Sequence, residues 1–185
     1  MFSTLFNLVL NPSPTINRIM QERNLKLALL GYCVGSFSIV LSHGLKEGIS
    51  TGGFIFSFLL ILFLTVCVSF FFAATAHLFL ELTTTRGRAA GLFVLLGLSE
   101  FAKTLLVAFA LIALNFPGLF AFKALVNFIV LLLQLFFVLY MMQHAYGLSK
   151  KMTFLALIIS FVPAIICFFG TIFILIGLIL GLIFG

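Results

Sequence analysis

Two charged side chains fall inside a long apolar stretch of the chain. Glu100 and Lys103 lie three residues apart, about three helical turns into the stretch 89–114. Residues at this spacing share one face of a helix, and charge at membrane depth is costly and usually serves a purpose. The spacing predicts an intramembrane polar pair, which Gln134 or Asn127 of the next apolar stretch could complete. Such a site would serve as a proton or ion relay or as a small pocket, or else as a structural pair that fixes helix register.

A second set of polar side chains is expected near one membrane face. His77 and Glu81 lie four residues apart at the end of one apolar stretch, and His144 closes another. Imidazole and carboxylate groups bind divalent metals, so these three define a candidate metal site. Polar residues also collect at the ends of membrane spans without binding anything, and we expect neither a metal nor another cofactor.

No motif in the sequence points to an enzyme. There is no Asp for a Ser/His/Asp set, no His-Glu-x-x-His and no phosphate-binding loop that ends in Gly-Lys-Ser/Thr. The basic residues are few and form no extended surface for nucleic acid. We therefore expect a non-enzymatic protein with no nucleic-acid partner.

The composition predicts which elements must carry these residues. The chain has 185 residues, of which 64% are hydrophobic and 8% charged, whereas soluble domains carry roughly 25% charged residues. We expect an all-α, polytopic membrane bundle, with residues 25–185 forming one transmembrane domain. The predicted spans are about 25–42, 54–80, 89–114, 122–143 and 152–183, the last being one long helix that is tilted, or kinked near Pro163 or Gly170.

Residues 1–24 are predicted to form a cytosolic or interfacial N-terminal segment. Its first ten residues are apolar but too short to span, and a Pro-containing break follows at 11–14. From Ser13 to Asn24, the residues Ile16, Ile19 and Met20 share one side of a short helix. This pattern predicts an amphipathic helix at the membrane surface, or alternatively a cytosolic helix that docks on the bundle.

The basic residues predict the orientation of the chain. Seven Lys and Arg residues fall on the N-terminal side of the predicted spans and two, Lys46 and Lys123, on the other. The positive-inside rule then places the N-terminus in the cytosol and the C-terminus outside. We name the seven the cytosolic basic rim and expect them to attract anionic headgroups of the lipid bilayer. They are Arg18, Arg23, Lys26, Arg86, Arg88, Lys150 and Lys151.

Glycine spacing predicts two places where helices approach closely. Gly31 and Gly35 form a small-xxx-small pair in the first span, and Gly177, Gly181 and Gly185 repeat that spacing in the last one. Such pairs permit close backbone contact between membrane helices. In the last span the pattern predicts a homo-oligomer interface, or else packing inside one subunit or a spacing that arose by chance.

Three stretches resemble the YIP (Ypt/Rab-interacting protein) family of small five-span membrane proteins, in particular its bacterial branch. They are Leu10-Asn11-Pro12 with the helix Ser13–Glu22, Arg86-Gly87-Arg88-Ala89-Ala90-Gly91-Leu92-Phe93, and Tyr146-Gly147-Leu148-Ser149-Lys150-Lys151. The third span departs from the family, which commonly has Pro after a small polar residue, whereas here Glu100 follows Ser99. The segment before Leu25 is also shorter than in the eukaryotic members linked to Rab GTPases, so Rab binding is not carried over.

The resemblance implies a five-helix fold and a role as a scaffold or organiser of membranes, with a membrane protein as a candidate partner. A bacterial plasma membrane is the expected location. The second hypothesis is a small transporter or channel whose polar path is lined by Glu100 and Lys103.

Overall fold

The computed structural model is helical throughout most of residues 6–8, 10–22, 24–82 and 89–184, which are the residues that it describes; the side chains of 46, 47, 167, 175 and 178–184 are not described. An N-terminal helix, Pro12–Glu22, precedes five long apolar segments. The first and second spans are the helices Leu25–Glu47 and Thr51–Glu81. The third comprises Ala89–Ser99, a 3₁₀ turn at Glu100–Lys103 and Thr104–Asn115. The fourth comprises a 3₁₀ segment at Pro117–Phe122 and the helix Lys123–Tyr146, and the fifth is Lys150–Phe184.

All five segments are long and apolar enough to cross a membrane. Large apolar side chains cover their outer faces, and Phe136 of the fourth span is 70% exposed. An outer surface of this kind suits contact with lipid. The predicted all-α class and the expected five long apolar helices are confirmed for the part of the chain that the structure describes, and this architecture is compatible with a multi-pass membrane protein.

Local sequence signals set several helix ends. The side chain of Asn24 accepts a hydrogen bond from the Leu27 amide at 3.2 Å, which caps the first span. Ser50 caps the second span in the same way. Gly48 and Gly147 end the first and fourth spans with φ angles of 66° and 65°, in the left-handed region that glycine adopts at helix ends.

The first span lies at the centre of the packing, against the second span and both halves of the third. A Cβ atom added to Gly97 of the third span would lie 2.7 Å from the carbonyl oxygen of Ala28 and 2.9 Å from its Cα. Gly31 faces the backbone of Gly97 just as closely. The close approach predicted at Gly31 is therefore confirmed, and its partner is the third span.

The N-terminal helix docks on the third and fourth spans. Ile16, Ile19 and Met20 are buried, and a Cβ atom at Gly91 would lie 2.6 Å from the Met20 sulfur. The exposed side carries Asn17, Arg18, Gln21 and Glu22. The apolar side thus packs on the bundle, as the docked alternative expects, and the position of this helix relative to a membrane surface stays a prediction.

The fifth span packs along the second with a stripe of small buried residues, Ala156, Ser160 and Ala164. Gly170 and Gly177 are not part of this contact, because a Cβ atom at either position would meet no neighbouring atom within 4 Å among the described residues. The helix turns its small residues Ala156, Ser160 and Ala164 inward instead. Gly185 and the side-chain environment of Gly181 lie outside the described residues, and the oligomer interface stays a prediction.

Candidate functional site

The third span changes its helical geometry at the predicted charged pair. The α-helix ends at Ser99, a 3₁₀ turn runs from Glu100 to Lys103, and α geometry resumes at Thr104. Glu100 lies about 16 Å along a span that is 27 residues, or about 40 Å, long. A 3₁₀ turn inside a helix often marks a hinge or a functional site. Here it places the charged side chains near the middle of the bundle.

Glu100, Lys103 and Gln134 form one hydrogen-bonded group, which we name the polar site. The Nζ of Lys103 lies 2.5 Å from Oε2 of Glu100, and Nε2 of Gln134 donates to Oε1 at 2.7 Å. Gln134 also reaches the Ser99 hydroxyl at 3.5 Å. One carboxylate oxygen thus accepts a hydrogen bond from Lys103 of the same span, and the other accepts one from Gln134 of the fourth span. The structure completes the pair with Gln134, whereas Asn127 is exposed.

The polar site is almost completely enclosed by the bundle. The Glu100 side chain is 5% exposed and the Lys103 side chain 17%. Gly35 of the first span makes room for Glu100, because a Cβ atom there would lie 2.7 Å from Oε2 and 2.8 Å from the Glu100 Cβ. Charge buried to this extent needs a compensating partner, which the Glu100–Lys103 contact supplies.

A cavity of about 490 Å³ opens beside the polar site, between the second, third, fourth and fifth spans. Its walls are mainly aliphatic and aromatic. Its polar lining groups are Thr65, Ser69, Ser99, Glu100, Lys103 and Gln134. Apolar walls with a few convergent polar groups are typical of ligand-binding sites.

Part of this lining could not be singled out from the sequence. Thr65 and Ser69, four residues apart, share one face of the second span, and Ser99 directly precedes Glu100. Hydroxyl residues at such spacing do not by themselves mark a site in an apolar helix. The α-helical face of Glu100 extends in sequence to Thr104 and Ala108, yet both are exposed. The 3₁₀ turn explains this, because it advances the chain by more degrees per residue than an α-helix does.

The candidate metal site is not assembled. Within the described residues, no group of three His, Cys, Asp or Glu side chains could hold a metal ion. The His144 ring donates from Nδ1 to the carbonyl oxygen of Tyr140 at 2.9 Å, and His77 lies beside Tyr146, with Nδ1 3.4 Å from its hydroxyl. Glu81 is exposed. The candidate metal ligands His77, Glu81 and His144 therefore do not converge, and each imidazole ring lies against a tyrosine.

Four members of the cytosolic basic rim are described, and all are exposed: Arg18, Lys26, Lys150 and Lys151. Arg18 forms an ion pair with Glu22 at 2.6 Å. The hydrogen bond and the charge of Glu22 raise the pKa of Arg18 above its usual value. Arg23, Arg86 and Arg88 lie outside the described residues. The exposed lysines are free to face headgroups or water, and the orientation of the chain in a membrane stays a prediction.

Comparisons of the chain with protein-family models, with curated proteins and with solved structures find no significant match.

Proposed function

We propose that this chain is a non-enzymatic membrane protein that binds an amphipathic small molecule from the bilayer, as the binding unit of a small transporter. The observation that carries the proposal is the cavity of about 490 Å³ with Lys103, Glu100 and Gln134 at its edge. This volume falls within the range of about 300–1,000 Å³ that is usual for small-molecule sites.

The location of the polar site supports binding from within the bilayer. The cavity walls come from spans whose outer faces are apolar, so a ligand arriving through lipid meets no charged barrier outside the polar site. Transporters commonly hold their substrates near the membrane midplane, beside a helix whose regular geometry is interrupted. The 3₁₀ turn at Glu100–Lys103 is an interruption of this kind.

A tryptophan reporter tests the binding. The chain contains no Trp, so Phe168→Trp places a single fluorophore in the cavity lining. We expect a brominated amphiphile in reconstituted vesicles to quench this reporter saturably, and an unbrominated analogue to reverse the quenching. Quenching requires close approach of bromine, so saturation reports occupancy of the cavity rather than dilution in lipid.

Phe169→Trp is the matched control. Phe169 is the neighbouring residue in the same span, is 54% exposed and does not line the cavity. We expect its quenching to rise without saturation as the brominated probe enters the bilayer, and the unbrominated analogue to have no specific effect. Identical curves for the two reporters would contradict the proposal.

Membrane organisation of the YIP type is the second candidate function. The exposed side chains of Lys26, Lys150 and Lys151 favour it, since cationic side chains at span ends attract anionic headgroups. Family membership is likewise a proposal, and it rests on the three stretches of sequence that resemble the YIP family. In this role the protein would gather anionic lipid on its cytosolic side and thereby recruit or shape membrane.

The lipid contact gives a separate prediction. Each cation near a membrane surface contributes about 1 kcal/mol, so Lys150→Gln with Lys151→Gln should lower the enrichment of anionic lipid around the protein at least tenfold. The enrichment is measured in nanodiscs of mixed anionic and zwitterionic lipid. Lys123→Gln, at the opposite end of the fourth span, is the control and should leave the enrichment unchanged. Equal enrichment in all three proteins would rule out this role for the two lysines.

A further inference from the structure

The Lys103 ammonium has hydrogen-bond donors that the polar site itself does not use. Both oxygens of Glu100 already accept a hydrogen bond, from Lys103 and from Gln134. An ammonium group has three N–H donors, and one of them points to Glu100. Among the described residues, no further partner of the Lys103 ammonium is found. The ammonium therefore has N–H donors available to a ligand.

The Lys103 ammonium is also the charged group that a ligand would meet. Its side chain is more exposed than that of Glu100, and it borders the cavity together with Gln134. The residues that lead away from it along the cavity are apolar, among them Leu135, Phe161 and Phe168. A ligand that reaches Lys103 thus lays its remaining atoms against hydrocarbon.

The charge of the site selects a neutral ligand. Glu100 and Lys103 together carry no net charge, and a second net charge near the membrane midplane would have no counter-ion there. A carboxylate ligand would be repelled by Glu100, and an amine would be repelled by Lys103. A neutral molecule with an oxygen acceptor avoids both costs.

We infer that the ligand class is a neutral apolar molecule with a carbonyl oxygen, which accepts a hydrogen bond from Nζ of Lys103 while its hydrocarbon part fills the cavity. This inference rests on the proposed function and specifies its substrate class. Lys103 acts as the specificity-determining residue. The Glu100 carboxylate holds the ammonium in place, and Gln134 holds the carboxylate.

The test is a competition series in the Phe168→Trp protein. Four eleven-carbon competitors displace the brominated probe: 2-undecanone, undecane, undecylamine and undecanoic acid, each at a known mole fraction in the bilayer. We expect 2-undecanone to bind about tenfold more tightly than undecane, because a hydrogen bond from a charged donor is among the stronger ones. The amine and the acid should bind no more tightly than undecane.

Lys103→Met removes the donor while retaining most of the side-chain volume, and it should make 2-undecanone and undecane bind equally. Because loss of one charge from the pair can destabilise the fold, the double variant Glu100→Gln/Lys103→Met, which has neither charge, is measured beside it. Retained undecane binding shows in each variant that the cavity is intact. Loss of the ketone preference in a variant that still binds undecane supports the inference.

Four other outcomes overturn it. Saturable binding without preference for the ketone, or a preference that survives in both variants, rejects Lys103 as the recognising group but leaves the proposed function standing. Tighter binding of the amine or the acid replaces the neutral class with a charged one. If no probe gives saturable quenching, both the proposed function and the inference are rejected.

Discussion

Gly31→Ala is expected to lower the free energy of unfolding by about 3 kcal/mol, at the upper end of the usual cost of overpacking a close contact. The added methyl group would point into the Gly97 backbone, with the Gly97 carbonyl carbon 2.6 Å and the Leu98 nitrogen 3.3 Å from the new Cβ. These are backbone atoms, so a side-chain rotation cannot relieve the clash. The first and third spans would have to move apart, and the measurement is unfolding by SDS in mixed micelles.

Gly170→Ala is the matched control for this prediction. Both glycines lie inside helices, but the new Cβ at Gly170 would meet no atom within 4 Å. Alanine also has the higher helix propensity, so this variant should be as stable as the parent or slightly more stable. If Gly31→Ala unfolded at the same SDS concentration as Gly170→Ala, the close crossing of the first and third spans would be refuted.

A separation of the first and third spans would also disturb the packing around the polar site. Gly35 follows Gly31 by one helical turn and lies against Glu100, while Tyr32 between them donates a hydrogen bond to the carbonyl oxygen of Phe93 at 2.9 Å. The crossing therefore holds the Glu100 backbone at a fixed distance from the first span. The charged pair and the glycine pair, which are distant in sequence, belong to one structural unit.

The number and approximate position of the spans follow from the sequence because they depend mainly on the length of apolar runs, although the first helix continues beyond its predicted end at about residue 42 to Glu47. The bilayer requires about 20 such residues per crossing, and the breaks at 48–50 and 147–149 contain the polar or glycine residues that end helices. The sequence does not predict which spans pack against one another. The helices are apolar on all sides, so no periodicity distinguishes a packed face from a lipid-facing one. The glycines at Gly31 and Gly177 have the same kind of spacing, yet one lies in a helix crossing and the other in open space.

The polar site, too, can be predicted from the sequence only in part. The pairing of Glu100 with Lys103 follows from their i, i+3 spacing, and buried amide groups seek partners, which favours Gln134. The cavity depends on the separation of four helices, which is a tertiary property. No proline in the sequence indicates the 3₁₀ turn at Glu100–Lys103. If this segment were α-helical, the polar site would extend toward Thr104 instead of ending at Lys103.

Neutralising one member of the charged pair is expected to cause the second large decrease in the free energy of unfolding. Glu100→Gln keeps the shape of the side chain and its contact with Gln134 but leaves the Lys103 ammonium without a counter-ion. A lone charge at the centre of a membrane helix costs about 3 kcal/mol, so the free energy of unfolding in mixed micelles should fall by about that amount. Lys103→Met should have a similar effect, because it leaves the Glu100 carboxylate unpaired.

The double variant Glu100→Gln/Lys103→Met separates the charge effect from the loss of packing. It contains neither charge, and the glutamine can still accept the hydrogen bond from Gln134 that Glu100 accepts at 2.7 Å. We therefore expect it to be more stable than either single variant and within about 1 kcal/mol of the parent, since replacement of a complete buried ion pair is often nearly neutral. Glu22→Gln is the matched surface control. It breaks the exposed ion pair with Arg18 and should cause no measurable change, because exposed pairs are screened by solvent. Destabilisation of the double variant by the sum of the two single effects would show that the two residues act independently, and Lys103 would then lack the fixed counter-ion on which its recognition of a carbonyl oxygen depends.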